Sequence, residues 1–228
     1  MDQKTFKFNS EIYLSEENLQ SIEAFKINFK LLENFFSEIN KFMLLYGDEK
    51  SGKKYILNSF INCFHPDKKI FYASLEDDHF SEKILEGISY FDLIVLDRLD
   101  LAPTNPHWEM GIFNLYNDLN QEGKNQIIFL SDKSLNSIDF NLKDLQSRIS
   151  SISAISFVDL NDEEKRILME SIFRKRGISI DNSVLSYALE RSSRKLDNII
   201  NLVQRIDEYS LSKKRNITVP LLKEILES

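Results

Sequence analysis

The stretch FMLLYGDEKSGKK, residues 42–54, decides the fold. It opens as a short apolar run, which reads as a buried strand, and breaks at Gly47. From Gly47 to Lys53 it fits G-x-x-x-x-G-K, and YILNSFINCF, residues 55–64, continues as a helix with a thick apolar face. Strand, glycine-bounded loop, lysine and helix form the arrangement that cradles phosphate. Gly47 and Gly52 let the backbone curl so that its N–H groups, including that of Ser51, point inward. Lys53 supplies a cation, and the helix adds its positive N-terminal end. The next position usually carries Ser or Thr, whose hydroxyl binds magnesium. Here it is Lys54, which has no oxygen to offer a metal.

Outward from this loop the pattern alternates. IFYASL (70–75), FDLIVLD (91–97), NQIIFLSD (125–132) and ISFVDL (155–160) read as further strands. The run 91–97 is continuously apolar up to its acid, as in a strand buried on both faces. Helical spacing predicts helices within 22–39, over 107–123 with Gly123 as the closing residue, and over 142–149. Beyond Leu160 only helices are predicted. Asn161 or Asp162 caps one that runs to about Arg176 and stops at Gly177. Asp181 caps the next, Ser192 or Ser193 opens a third reaching about Ser212, and Thr218 caps the last, with Pro220 in its first turn. The expected architecture is a P-loop α/β base with a five-stranded parallel sheet, followed by a small all-α domain. The expected divisions are a tail over 1–10, the α/β domain over 11–160 and the helical domain over 161–228.

Four more sites carry chemistry on this reading. LIVLD, residues 93–97, places Asp97 at the tip of a buried strand, where such an acid faces magnesium. Alone it also reads as an ordinary buried strand; in order after the P-loop it gains weight. The following position, which in many ATPases holds a water-polarising acid, is Arg98, and Asp100 lies two residues further on. Asp132, after Ser131, ends the strand expected between the other two and is placed to sense the γ-phosphate, although strand ends are commonly polar. Arg148, in LKDLQSRIS, is either an arginine finger for a neighbour's nucleotide or a solvated surface residue. Arg194, in SSRKLDNII, either folds over phosphates bound in the same chain or pairs locally with Glu190 or Asp197. His65, His79 and His107 lack metal-ligand spacing.

Composition sets the bounds. The chain has 228 residues, 42% of them hydrophobic, enough for one large domain or a medium and a small one. A net charge of −7 argues against a chain that coats DNA. The single cysteine, Cys63, excludes an internal disulfide and suits a reducing cytoplasm. No apolar run approaches a membrane span of roughly 18 residues, and the N-terminus lacks the features of a secretory signal.

With these residues in place, the chain resembles the Hda family, small AAA+ relatives of the replication initiator DnaA. The resemblance runs over nearly the whole length. It is carried most specifically by WEMGIFNLYNDLNQEGKNQIIFLSD (108–132), LKDLQSRIS (142–150) and TVPLLKEIL (218–226). It implies an AAA+ base with a helical lid, binding of ADP or ATP, and weakened magnesium binding at Asp97. It implies a trans arginine finger at Arg148 and a sensor of bound nucleotide at Arg194. It also implies docking on the polymerase sliding clamp through Gln3, Phe6 and Phe8, which match Q-x-x-L-x-L/F except for Phe at the first apolar place. The implied partners are DnaA and the clamp, with DNA reached only through the clamp; a weak head-to-tail homodimer also fits the family. The implied role is to drive hydrolysis of DnaA-bound ATP. Two alternatives stand beside it. A DnaA-like initiator or loader acting on DNA would need the further DNA-binding domain that is expected to be missing after Ser228. An independent ATPase would need the acid and hydroxyl replaced by Arg98 and Lys54.

Overall fold

The computed structural model describes residues 14–37, 41–77, 79–121, 125–191, 195–213 and 217–227. Helices α1 (Glu16–Gln20) and α2 (Glu23–Ser37) precede β1 (Phe42–Tyr46) and α3 (Lys53–Phe64). Then come β2 (Ile70–Ser74), β3 (Leu93–Asp97), α4 (Pro106–Gln121), β4 (Gln126–Ser131), α5 (Lys143–Ser150) and β5 (Ser153–Ser156). The remaining described elements are all helices: α6 (Asp162–Lys175), α7 (Asn182–Arg191), α8 (Leu196–Lys213) and α9 (Val219–Glu227). The fold is a P-loop α/β base with a five-stranded parallel sheet, followed by an all-α domain, the lid.

The sheet order is β2-β3-β4-β1-β5, and every pairing is parallel. Burial explains this order. Every residue of β3 and β4 is buried, so both lie inside the sheet, whereas β5 buries only Ile155 and takes an edge. Residues along a strand alternate faces. Leu93 and Val95 join one core with Ile128, Leu130 and the lid residues Leu168, Phe173, Leu196 and Ile199. Ile94, Leu96, Ile127 and Phe129 join the other, with Trp108 and Ile112 of α4 and Leu145 and Ile149 of α5. The helices α2 and α3 and the lid therefore cover one face, and α4 and α5 the other. A buried hydrogen bond from Asn18 Nδ2 to Ser171 Oγ, 2.6 Å, ties α1 to the lid.

Some elements differ from the sequence expectation. The fifth strand lies over Ser153–Ser156 rather than 155–160. It starts as soon as α5 ends because Met43 of β1 already pairs with Ser153. The third strand begins at Leu93, two residues later than expected, since the Asp92 carboxylate instead accepts from the Lys69 amide at 2.8 Å. The helix α1 was not anticipated; it is one short turn whose Ser15 and Asn18 form a reciprocal capping box. Asn161 caps α6 in the same way with Glu164, and the Thr218 hydroxyl accepts from the Leu221 amide at the start of α9. Gly123, Ser192 and Ser193, expected at helix ends, lie outside the described residues.

Candidate functional site

The carboxyl ends of the five strands converge on one edge, where ligands bind in parallel sheets. Tyr46 leads there into the loop of residues 47–52. Gly47 has φ 155°, and a Cβ at that position would lie 2.1 Å from the Phe157 carbonyl oxygen. Gly52 has φ 70°, a left-handed turn that starts α3, and a Cβ there would lie 2.2 Å from Leu196 Cδ2 of the lid. Only glycine fits either place. The first turn of α3 opens on this loop, so its unpaired N–H groups carry the positive end of the helix.

Lys53 is 5% exposed. Its ammonium donates to the Gly47 carbonyl at 2.8 Å and pairs with Asp132 Oδ1 at 2.6 Å. An ammonium has three N–H donors, so one remains for a phosphate oxygen. Ser51 is buried, and its hydroxyl has no hydrogen-bond partner. A buried polar atom without a partner costs about 1–3 kcal/mol, and at a P-loop a phosphate is the group that would satisfy it. The curl, the helix end, Lys53 and Ser51 together fit a nucleotide phosphate.

Magnesium does not fit in the same way. Asp97 is 1% exposed and projects to the α3 face, because it continues the alternation of Leu93 and Val95. On that face the Lys54 ammonium pairs with Asp97 Oδ2 at 2.5 Å, and the Tyr72 hydroxyl donates to the same oxygen at 2.6 Å. The Arg98 amide donates to Asp97 Oδ1 at 3.0 Å. Burial, the charge of Asp97 and this hydrogen bond hold the Tyr72 phenol far above its ordinary range, so it stays a donor. Asp97, the acid expected to face a metal, is thus engaged by three donors of its own chain. Among the described residues no group of three or more His, Cys, Asp or Glu could hold a metal ion.

Arg98 adopts a left-handed backbone, φ 62°, at the strand end. Its guanidinium reaches Glu76 Oε1 at 3.0 Å, Asp100 Oδ2 at 3.2 Å and Asp132 Oδ2 at 3.6 Å. Asp100 also accepts from the Asp132 amide at 3.1 Å. Burial raises the Asp100 carboxyl, but the hydrogen bond and charge of Arg98 and the Asp132 amide outweigh it, and the net shift is downward. Asp100 is a paired, ionised anchor rather than a proton acceptor for water.

The structure therefore brings together Gly47, Ser51, Gly52, Lys53, Lys54, Asp97 and Asp132. Arg148 is elsewhere. It sits on α5, on the opposite face from α3, with its guanidinium carbon 5.1 Å from the Phe113 ring centre and 5.5 Å from that of Tyr116. Phe113 is half-buried and forms part of this platform, whereas Trp108 is buried. Arg194, Gln3, Phe6 and Phe8 lie outside the described residues. Sequence reading missed Tyr72 and two lid contacts: Leu196 on Gly52, and Lys195 Nζ on Glu49 Oε1 at 2.5 Å. The polar Tyr in an otherwise apolar strand beside LIVLD was the available signal for Tyr72. The lid contacts have no local signal, being about 145 residues apart in sequence.

Comparison with known proteins agrees with this geometry. Residues 162–226 match the family model described as the Hda lid domain. A Haemophilus influenzae protein, described only as uncharacterized, is 27% identical over 218 residues, or 95% of this chain and 92% of that one. Domain III of the Thermotoga maritima replication initiation protein DnaA superposes with a TM-score of 0.68 at 14% identity, over 95% of this chain and 98% of that one. AMPPCP-bound DnaA from Aquifex aeolicus gives 0.63 at 18% identity, over 91% of this chain and 71% of that one. With a DnaA-type fold in its base and a lid that matches the Hda lid model, the chain resembles Hda-like, DnaA-related AAA+ proteins.

Proposed function

We propose that this protein regulates replication initiation by promoting hydrolysis of ATP bound to DnaA, while its own pocket holds an adenine nucleotide that it does not efficiently hydrolyse. The observation that carries the reading is the placement of Arg148. Lys53, Lys54 and Arg98 each pair with a carboxylate, whereas the Arg148 guanidinium has no carboxylate partner among the described residues and rests on two rings on the other face of the base. A cation held on aromatic faces keeps its N–H fork available for an external anion. Presented to ATP on DnaA, it would stabilise charge developing on the transferring phosphoryl group, an effect worth roughly 10³–10⁵ in rate.

The chain's own nucleotide has a different part. Lys53, Ser51 and the loop amides hold its phosphates, and the lid closes over it through Leu196. ADP is the favoured occupant, because Lys53 and Lys54 are each already paired with a carboxylate, Asp132 and Asp97, which leaves little free positive charge for a third phosphate. Arg98, in the place of the water-polarising acid, weakens hydrolysis at this site. Clamp docking through Gln3, Phe6 and Phe8 brings the chain to newly replicated DNA, with no DNA contact of its own. The test is hydrolysis of DnaA-bound ATP with this protein, with and without clamp loaded on DNA. Clamp-dependent stimulation supports the reading; no stimulation in either arm overturns it. Replacing Gln3, Phe6 and Phe8 together by Ala should abolish clamp binding in a pull-down, with the melting midpoint unchanged.

A further inference from the structure

We infer that Lys54 is a built-in substitute for the divalent cation, so that the pocket binds a metal-free nucleoside diphosphate. The inference rests on the nucleotide-binding reading above and goes beyond it, since it names the ionic form of the ligand and the residue that selects it.

The argument starts from the position. Lys54 occupies the residue whose hydroxyl would ordinarily hold magnesium, one place after the phosphate-binding Lys53. A lysine there has two options, to swing into solvent or to turn inward. It turns inward: its Nζ lies 2.5 Å from Asp97 Oδ2, and the Tyr72 ring lies 5.8 Å away. The cation thus sits on the same carboxylate that a metal would use. The geometry is held from both sides. Asp97 is buried and takes the Tyr72 hydroxyl and the Arg98 amide as well, so it cannot rotate away from the ammonium without losing those bonds.

Charge then decides which ligand fits. A divalent ion at Asp97 would have to displace Lys54 or sit beside its positive charge. A diphosphate brings negative charge instead, and it finds two ammonium groups, Lys53 and Lys54, on consecutive residues. One Lys54 N–H is used by Asp97. The side chain is half exposed, so two donors remain for the oxygens that magnesium would otherwise bridge. Lys53 and Lys54 then each bridge a carboxylate and a phosphate without a metal.

The experiment is titration of the full chain with ADP, in excess magnesium and in EDTA. The expected result is a Kd that agrees within about threefold between the two buffers, with no Mn(II) bound alongside ADP by electron paramagnetic resonance. Lys54→Ser restores the hydroxyl and frees Asp97. It should weaken ADP binding in EDTA at least tenfold, regain it in magnesium, and show one Mn(II) per ADP. Lys54→Met keeps the length without the charge and should lose affinity in both buffers. The melting midpoint of each variant without ligand establishes that it is folded. If the wild type binds ADP tightly in magnesium but tenfold or more weakly in EDTA, the inference is overturned and the nucleotide site stands. If ADP binds in neither buffer, both fall together.

Discussion

Two corners of this molecule treat positive charge in opposite ways. At the P-loop, Lys53, Lys54 and Arg98 meet Asp132, Asp97, Asp100 and Glu76 in a closed network. On the other face of the sheet, Arg148 lies over Phe113 and Tyr116 and meets no carboxylate among the described residues. Phosphoryl transfer needs cations whose donors are held ready for the charge that develops. The P-loop corner has tied its cations to the resting protein and is suited to holding a ligand. The α5 corner has left its cation without a carboxylate among the described residues, which is what the proposed action on another molecule requires.

The sharpest way to break the contrast is Arg148→Ala. It should reduce stimulation of DnaA-bound ATP hydrolysis by roughly 10³-fold or more, while leaving ADP affinity of the chain itself unchanged. Arg148→Lys should not rescue, since an ammonium lacks the planar fork. Single-turnover hydrolysis of ATP preloaded on DnaA reads the first effect, and equilibrium titration the second. Loss of ADP binding in the Ala variant would erase the distinction between the corners.

The next largest effect concerns how the lid is seated. Gly52→Ala places a methyl in a left-handed turn and within 2.2 Å of Leu196 Cδ2. The backbone term is about 1–2 kcal/mol and overpacking adds about 1–3 kcal/mol. At roughly 2–4 °C per kcal/mol for a chain of this size, the melting midpoint should fall by roughly 4–20 °C. Calorimetry checks it. A shift of less than a degree or two would mean that Leu196 is not locked against the loop.

Arg98→Gln probes the closed network and gives a smaller effect with a pH signature. It leaves Asp100, nine-tenths buried, with the Asp132 amide as its main remaining partner. The folded pKa of Asp100 lies below its unfolded value. The stabilisation is therefore present above the unfolded value, near 4, and is lost as pH falls through the folded one. The wild type should exceed the variant by about 1–2 kcal/mol at neutral pH. The gap should shrink as pH drops below about 4, as read from urea midpoints at several pH values. A gap that widens toward acid would show that another group carries the effect.

These corners were not equally legible in sequence. The strands β1, β3 and β4 announce themselves as continuous apolar runs, because burial on both faces removes any reason for polar residues. The edge strand β5 carries one buried residue, Ile155, and its pattern is too weak to fix its register; its position depends on β1, over a hundred residues earlier. Lys53, Asp97 and Asp132 follow from motif spacing, since the loop and the strand ends place them wherever the sheet forms. That Lys54 meets Asp97 required knowing that 97 shares the face of Tyr72 and α3, which alternation from Leu93 could have supplied. The stacking of Arg148 on Phe113 and Tyr116 depends on α5 crossing α4, and no local pattern encodes that crossing.

The smallest effect separates packing from charge at the lid. Lys195 and Glu49 form a 2.5 Å ion pair between the start of the lid helix α8 and the P-loop, with side chains 42% and 69% exposed. Lys195 lowers the Glu49 carboxyl through its hydrogen bond and charge, but water and salt surround both groups. At roughly 1 M salt the screening length is about 3 Å, and such a pair is largely neutralised. The neighbouring contact, Leu196 against Gly52, is apolar and indifferent to salt. Glu49→Gln should therefore leave the melting midpoint unchanged within error, at low salt and at high. Leu196→Ala, which removes a buried side chain from the same junction, should lower it measurably at both. If Glu49→Gln instead matches Leu196→Ala at low salt, and salt abolishes its effect, the lid is held by charge. The P-loop corner would then be a closed network not only in its lysines and carboxylates but in its hold on the lid.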